Sequence, residues 1–277
     1  SRMFDVHVHA APDVAPRLAD DQDVVAAGAA AGFAGCVLKG HYESTVGRAA
    51  TAGRGQSVRV YGGIALNQHV GGVNPATVAA CLQAGGRVVW MPTADSHTQR
   101  SAGLPRLCGM RPGLSEHTYA IPPVDWSTAE VVRDICGMVA EADAVLATGH
   151  ISTAEARWLL ATAREHGVRR VLLTHPSYTV PGMSSAEAVE LTQRGALAEI
   201  TTFQLLHQDG CTPSMLAAFA REVGLDRIVL SSDAGQPDSP PPPDALELLI
   251  DVLAREGLDR GALHACASER PEALVVP

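Results

Sequence analysis

Eight short apolar runs, each followed by a stretch of helical periodicity, predict an α/β fold: a (β/α)8 barrel of the TIM-barrel type, with a long loop or small lid after the fourth strand. Three observations lead there. The strand-then-helix alternation spans essentially the whole chain, and 277 residues is the usual size of such a barrel. The strand candidates are nearly continuous apolar runs, as expected where helices cover a parallel sheet. The chemically useful side chains cluster at the carboxyl ends of those runs, where a barrel would make them converge. A doubly wound open sheet would need a glycine-rich phosphate loop after the first strand, and His9-Ala10-Ala11-Pro12-Asp13 is not one.

Taken in order, Met3–His9 reads as the first strand, and Asp20–Gly32, opened by acidic residues and closed by glycine, as the first helix. Gly35–Gly40 is the second strand, with a helix from about Ser44 to Gly53; Val58–Leu66 is the third. Its helix, Pro75–Ala84, has Asn74 as N-cap and proline at the first helical position. Arg87–Pro92 is the fourth strand. Residues 93–125 then break the alternation, being rich in Gly, Pro, His and Arg without sustained period, as in a functional loop inserted in one barrel domain over 1–277. The pattern resumes with helix Ser127–Ala142, strand Ala144–Thr148, helix Thr153–His166, strand Arg170–Leu173 and helix Ser185–Arg194. Strand Ala196–Thr202, helix Pro213–Val223, strand Arg227–Ser231, helix Asp244–Glu256 and a short helix near Arg260–Ser268 complete the chain.

With 46% hydrophobic and 18% charged residues and a net charge of -9, the chain can bury a large core and lacks the basic footprint that nucleic acid or an anionic membrane requires. A small-molecule partner is expected. The six cysteines are scattered, without a Cys-x-x-Cys pair, and read as reduced thiols. No basic-and-apolar leader and no long apolar run is evident, so the expected location is cytoplasmic.

His7 and His9, spaced i, i+2 on the first strand, place two imidazoles on one face and invite a metal ion. Further candidates follow at the other strand ends. These are Lys39 and His41 after strand two, His69 after strand three, His150 after strand five, His175 after strand six and Asp233 after strand eight. Lys39 stands out because it is the only lysine among 21 basic residues, the rest being arginine. Such a residue is expected to do what arginine cannot, losing its proton or reacting as an amine. Glu199 lies mid-strand, where a buried carboxylate must be paired: either an additional ligand or the partner of a nearby arginine.

This set resembles the amidohydrolase superfamily of metal-dependent hydrolases, whose pattern is His-x-His on strand one, a carboxylated Lys or a Glu on a middle strand, histidines after strands five and six, and an Asp after strand eight. His7, His9, His150, His175 and Asp233 match it residue by residue. Strand four, Arg-Val-Val-Trp-Met-Pro, offers neither Lys nor Glu. The bridging ligand has therefore moved to Lys39 on strand two, or the site holds one metal; Lys39 as a plain ammonium binding a substrate anion is the rival role. The resemblance implies a divalent metal, zinc foremost with manganese or iron as substitutes, as one or two ions. It further implies metal-bound hydroxide as nucleophile, with Asp233 as ligand and proton shuttle. His150 or His175 would then polarise the scissile carbonyl in a one-metal site.

The implied activity is hydrolysis of an amide, lactam, lactone or ester-type bond in a small polar molecule. The alternatives are a one-metal decarboxylase or hydratase, and a non-enzymatic barrel with a structural metal. His41, His69 and Arg111 are the candidates for holding substrate; Arg100, Arg106 and His117 share the long loop with Arg111 and are further candidates for grasping a substrate carboxylate, the alternative for each being a solvated loop charge. Trp90 and Met91 read as core. A homo-oligomer is compatible with the sequence.

Overall fold

A computed structural model describes residues 1–277. The fold is α/β with parallel strands. These are β1 (Phe4–Val8), β2 (Gly35–Leu38), β3 (Arg59–Tyr61), β4 (Gly63–Ala65), β5 (Val88–Trp90), β6 (Val145–Ala147), β7 (Arg170–Leu173), β8 (Leu197–Thr201) and β9 (Ile228–Ser231). The first three pair in the order β1-β2-β3 and the rest in the order β4 to β9, every pairing parallel. At the end of β1, Val8 pairs in parallel with Ala234 just past β9, and the His9 N–H donates to the Ala234 carbonyl at 2.8 Å, so the first and last strands are neighbours.

The expected third strand is split at Gly62. A side chain at Gly62 would lie 2.6 Å from the Thr45 carbonyl, and one at Gly63 only 2.1 Å from the Val88 carbonyl oxygen, so neither position admits a Cβ. Thr45 fills the break: its hydroxyl oxygen accepts from Gly63 N–H at 3.0 Å and donates to the Leu38 carbonyl at 2.7 Å. The ladder groups freed by the split are thereby kept satisfied.

The helices are α1 (Asp21–Ala30), α2 (Val46–Gly53), α3 (Pro75–Gln83), α4 (His97–Ser101), α5 (Ala129–Glu141), α6 (Thr153–Glu165), α7 (Ser185–Gln193), α8 (Thr202–His207), α9 (Pro213–Val223), α10 (Pro242–Arg255), α11 (Arg260–Cys266) and α12 (Glu269–Val275). Their starts follow ordinary capping chemistry. Asp20, Asn74 and Asp259 accept first-turn N–H groups, and Ser152 and Ser184 form full capping boxes with Glu155 and Glu187. Helices α4, α8 and α12 were not expected from periodicity, being five to seven residues long. None of the helices is long and apolar enough to cross a membrane.

Two apolar layers separate the strands' faces. Val6, Val88, Trp90, Val145, Ala147, Leu172 and Val229 share an inner cluster, closed at the strands' amino ends by Leu274 and Val275 of α12. Alternate residues such as Val89, Leu146, Val171, Leu173 and Leu230 pack outward among helix residues such as Ile135, Leu159 and Leu249. Strand β1 departs from strict alternation. Asp5 is opposite Cys36 but Val8 is opposite Leu38, so β1 carries one extra residue. As a result Val6 belongs to the inner cluster and Val8 to an outer one with Val24, Val25 and Ala49.

The 93–125 segment has one short helix, α4, and is otherwise irregular. It is anchored. Glu155 of α6 accepts the Ile121 N–H at 2.8 Å, and Asp95 accepts the Gln68 N–H at 2.8 Å.

Candidate metal centre

The bulge in β1 delivers His7 to the carboxyl end of the strands, and two residues on His9 follows it. Both are buried. His7 Nε2 and His9 Nε2 each lie 3.1 Å from Asp233 Oδ1, and these three residues form a buried group whose ligand atoms converge. Two ligands about 2.1 Å from one zinc ion sit roughly 3.0 Å apart at a right angle and roughly 3.4 Å apart at the tetrahedral angle. The observed spacing falls between these values, so the donor set fits a divalent cation.

The protonation chemistry points the same way. Glu199 Oε2 lies 3.0 Å from His7 Nδ1, a geometry in which the ring N–H donates to the carboxylate and leaves Nε2 with its lone pair toward Asp233 Oδ1. Two lone pairs at that distance need a cation or a proton between them. Without a metal the answer is a proton. Burial pushes the His7 pKa down, but the Asp233 and Glu199 carboxylates outweigh it and carry it up to about 9. Glu199 moves the opposite way, to about 2, because His7 outweighs the effect of burial. Asp233 is likewise held well below the usual carboxylate range against burial, chiefly by His7 and His9.

Glu199 is the residue whose role the sequence left open. It stands on β8 opposite Val229, the register that elsewhere carries the inner apolar layer, and is only 1% exposed. It has no arginine partner. Besides His7, its Oε2 accepts from the Ser231 hydroxyl at 2.7 Å and its Oε1 from the His175 N–H at 2.9 Å. One carboxylate thus orients a ring on β1 and the backbone after β7. Its signal in the sequence was a lone acid within an apolar strand two positions before that strand's end.

Lys39, just past β2, is buried with Nζ 3.2 Å from His7 Nε2 and 5.4 Å from the centre of the Trp90 ring. Burial lowers its pKa, opposed by Asp233 and Glu199. Trp90 is core, as expected, but it also floors the lysine's chamber. His150 and His175 line the same cavity with ring centres 4.9 Å apart. His150 does not cap α6, since Ser152 does; its Nδ1 lies 2.9 Å from Gln99 Oε1, which leaves Nε2 available. His175 sits at φ 25°, and its buried Nδ1 has no protein partner. Asp233 is at φ 48°, a conformation uncommon for a side chain-bearing residue and tolerated where a site requires it. Burial lowers His175 to about 4 and His9 to about 3, with Arg17 adding to the effect at His9, and pushes His41 and His150 well down.

His7, His9, Lys39, His150, His175 and Asp233 open onto one cavity of about 320 Å³. His41 lines it, its Nδ1 held 2.7 Å from the Thr93 hydroxyl, which in turn accepts from Asn67 Nδ2 at 2.7 Å. The other two substrate candidates lie elsewhere. His69 sits in the 3-10 turn Gln68–Val70 and does not line the cavity, its ring lying 6.4 Å from that of Tyr42, which does. Arg111 reaches outside the cavity to the Val14 carbonyl. Of the long-loop candidates Arg106 alone is in the wall, where it is joined by Arg17, a residue that depends on a loop path no periodicity encodes.

The fold is that of the amidohydrolase superfamily. An amidohydrolase from Pseudomonas aeruginosa superposes with a TM-score of 0.67 at 13% identity, covering 99% of this chain and 95% of that one. The phosphotriesterase homology protein from Escherichia coli gives 0.65 at 15% identity, covering 98% of each chain. N-acetyl-D-glucosamine-6-phosphate deacetylase from Mycobacterium smegmatis gives 0.54 at 14%, covering 99% and 78%. The chain belongs to the family of unknown function DUF6282, whose model matches residues 2–199 and so includes every candidate ligand except Asp233. No curated protein matches the sequence.

Proposed function

We propose that this chain is a metal-dependent hydrolase that cleaves an amide, lactam, lactone or ester-type bond in a small polar molecule, within one closed (β/α)8 barrel whose 93–125 segment acts as a lid. The observation that carries this reading is the convergence of His7 Nε2, His9 Nε2 and Asp233 Oδ1 on one point at the strand ends, beside His150, His175 and Lys39. The hydrolase names of the fold's relatives support it as well. His7, His9 and Asp233 would hold a first ion; His150, His175 and a carboxylated Lys39 would serve a second. Zinc suits imidazole and carboxylate donors best. Such an ion supplies Lewis acidity, polarising a carbonyl and making water acidic enough to ionise near neutral pH.

The protein's own part is positioning and proton transfer. Glu199 fixes the His7 tautomer and, through the His175 N–H, the turn after β7. Gln99 does the same for the His150 ring. Asp233 presents one oxygen to the two histidines and keeps the other for a proton taken from the attacking water and returned to the leaving group. Gln236 holds the Asp233 backbone, donating from Nε2 to its carbonyl at 2.9 Å. A smaller ligand set is favoured by one observation. Only His7, His9 and Asp233 converge as a three-residue group, which is what a one-metal decarboxylase or hydratase would need.

Elemental analysis of the purified protein separates the two-ion ligand set from the one-ion set. One to two equivalents of Zn, Mn or Fe are expected, and Lys39→Arg should lose one of two. A metal-free preparation that is fully active refutes the proposal. A stoichiometry of one that is unchanged in Lys39→Arg removes the second ion and the carboxylation.

A further inference from the structure

The cavity wall is unequal in charge. Asp233 is its only carboxylate, and it faces the histidines; against it stand Arg17, Lys39 and Arg106. Arg17 comes from the loop after β1, with its side chain only 8% exposed. Its Nε donates to Asp13 at 2.7 Å, which fixes the guanidinium plane, while Nη2 has nothing nearer than His9 Nδ1 at 3.5 Å. That contact is a poor hydrogen bond, because a His9 that binds metal through Nε2 carries its proton on Nδ1 and cannot accept. Arg17 is therefore held in place by one edge with its other edge unspent.

Arg106 comes from the 93–125 segment. It is exposed and forms no ion pair, and yet it contributes to the wall between Pro105 and Leu107. The two arginines come from chain segments that are tied together. Arg111, five residues after Arg106, donates to the carbonyl of Val14, three residues before Arg17. The remaining wall nearby is apolar: Leu107, Tyr178 and Phe203, with the two aromatic rings 5.8 Å apart.

We infer that the substrate carries an oxyanion head group, a carboxylate or a phosphate, gripped between Arg17 and Arg106, and a short apolar body lying against Leu107, Tyr178 and Phe203. A guanidinium with a free edge is matched to both oxyanions by its planar fork. A cavity of this volume is at the small end of ligand sites, which limits the body to a few carbons or one ring. The inference rests on the proposed reading of this cavity as a substrate site. It differs from that reading in saying what enters.

The test uses metal-free protein, so that it does not depend on turnover or on the ion. Isothermal titration calorimetry with benzoate, acetate, inorganic phosphate and neutral benzamide is compared for wild type, Arg106→Gln, Arg17→Gln and the control Arg54→Gln, an exposed arginine beyond the end of α2. Benzoate should bind at least about tenfold tighter than benzamide and tighter than acetate, and Arg106→Gln should weaken it about tenfold, the scale of one charge-assisted contact. Arg54→Gln should match wild type. Phosphate binding tighter than benzoate assigns the head group as a phosphate, and the reverse assigns a carboxylate. Benzamide binding within twofold of benzoate overturns the inference, as does Arg106→Gln binding the anions like wild type. Arg106 is exposed, so that variant remains decisive even if Arg17→Gln fails to fold. Loss of hydrolysis with anion binding intact would count against the proposed reaction and not against this inference.

Discussion

Replacing Glu199 by glutamine tests whether the site is built for a cation. The carboxylate makes three contacts: His7 Nδ1 at 3.0 Å, the Ser231 hydroxyl at 2.7 Å and the His175 N–H at 2.9 Å. All three partners donate, and an amide has only one accepting atom. If its oxygen faces His7, its NH2 meets the His175 N–H, donor against donor. If the oxygen faces His175, the NH2 meets His7 Nδ1, which must then shed its proton and hand it to Nε2, the nitrogen aimed at Asp233. Either outcome removes a buried hydrogen bond to a charged acceptor, on the order of 1.5–3 kcal/mol. The second also places a proton where a metal would go. Losing the partner that orients a metal-ligating histidine lowers metal affinity about 10–100-fold. Calorimetric titration of Zn²⁺ into metal-stripped wild type and Glu199→Gln, each checked for folding by circular dichroism, measures the ratio. Equal affinities within about twofold would show that Glu199 serves only the fold, and the tautomer argument for His7 would fall.

The other predictions concern the proton, the pH window and the turns. Asp233→Asn should fold but turn over about 10²–10⁴-fold more slowly at saturating substrate, and wild-type turnover would take Asp233 out of the proton path. Metal-free protein should be most stable near pH 6.5, with thermal midpoints falling on both sides. Below it, His9 and His175, held at about 3 and about 4 by burial, stay neutral in the fold while their unfolded counterparts take up protons. Each then costs about 1.4 kcal/mol per pH unit. Asp5, raised to about 6 by burial, offsets part of that loss because its contribution is present at low pH and fades as pH rises. Above pH 6.5, the stability from protonated His7 is lost progressively toward its value of about 9. Saturating metal should flatten this upper limb by standing in for the proton; an identical profile with and without metal contradicts the ligand role of His7. Gly149→Ala should shift the neighbouring His150 and lower the melting temperature by several degrees. The new Cβ would lie 2.2 Å from the Met91 carbonyl oxygen, at a φ of 61° that costs alanine about 1–2 kcal/mol by itself. An unshifted midpoint and an unchanged metal stoichiometry would refute it.

Much of this was readable from residues alone because it depends on local rules. The alternation of apolar runs and helical stretches located every long element, with Arg170–Leu173 and Pro213–Val223 matching to the residue. The His-x-His spacing placed two imidazoles in one chamber, and strand-end position brought His41, His150, His175, Lys39 and Asp233 to the same cavity. The rest depends on contacts between distant segments. The extra residue in β1 is set by pairing with β2, not by the composition of Val6-His7-Val8. The break at Gly62 exists because Thr45, seventeen residues earlier, supplies its hydroxyl there. Glu199 read as either an additional ligand or the partner of an arginine, and only the packing of neighbouring strands shows that its partners are a histidine on β1, a serine on β9 and a backbone N–H after β7. Short helices such as α8, capped by Thr201 directly at a strand end, carry too few residues to register a period.

The three contacts of Glu199 also bear on when the site comes into being. Its bond to His7 spans 192 residues, and that of the Ser232 N–H to Asp5 Oδ1, just behind the histidines, spans 227. No half of the chain can assemble this arrangement, and contacts of such sequence separation are the slow ones to form. A nascent or partly folded chain therefore has His7 and His9 without the carboxylates that orient and complete them, and only weak hold on a metal. For an ion bound as proposed, tight capture would report that the first strand has met the last; uptake would come at the end of folding and in turn disfavour reopening of that seam.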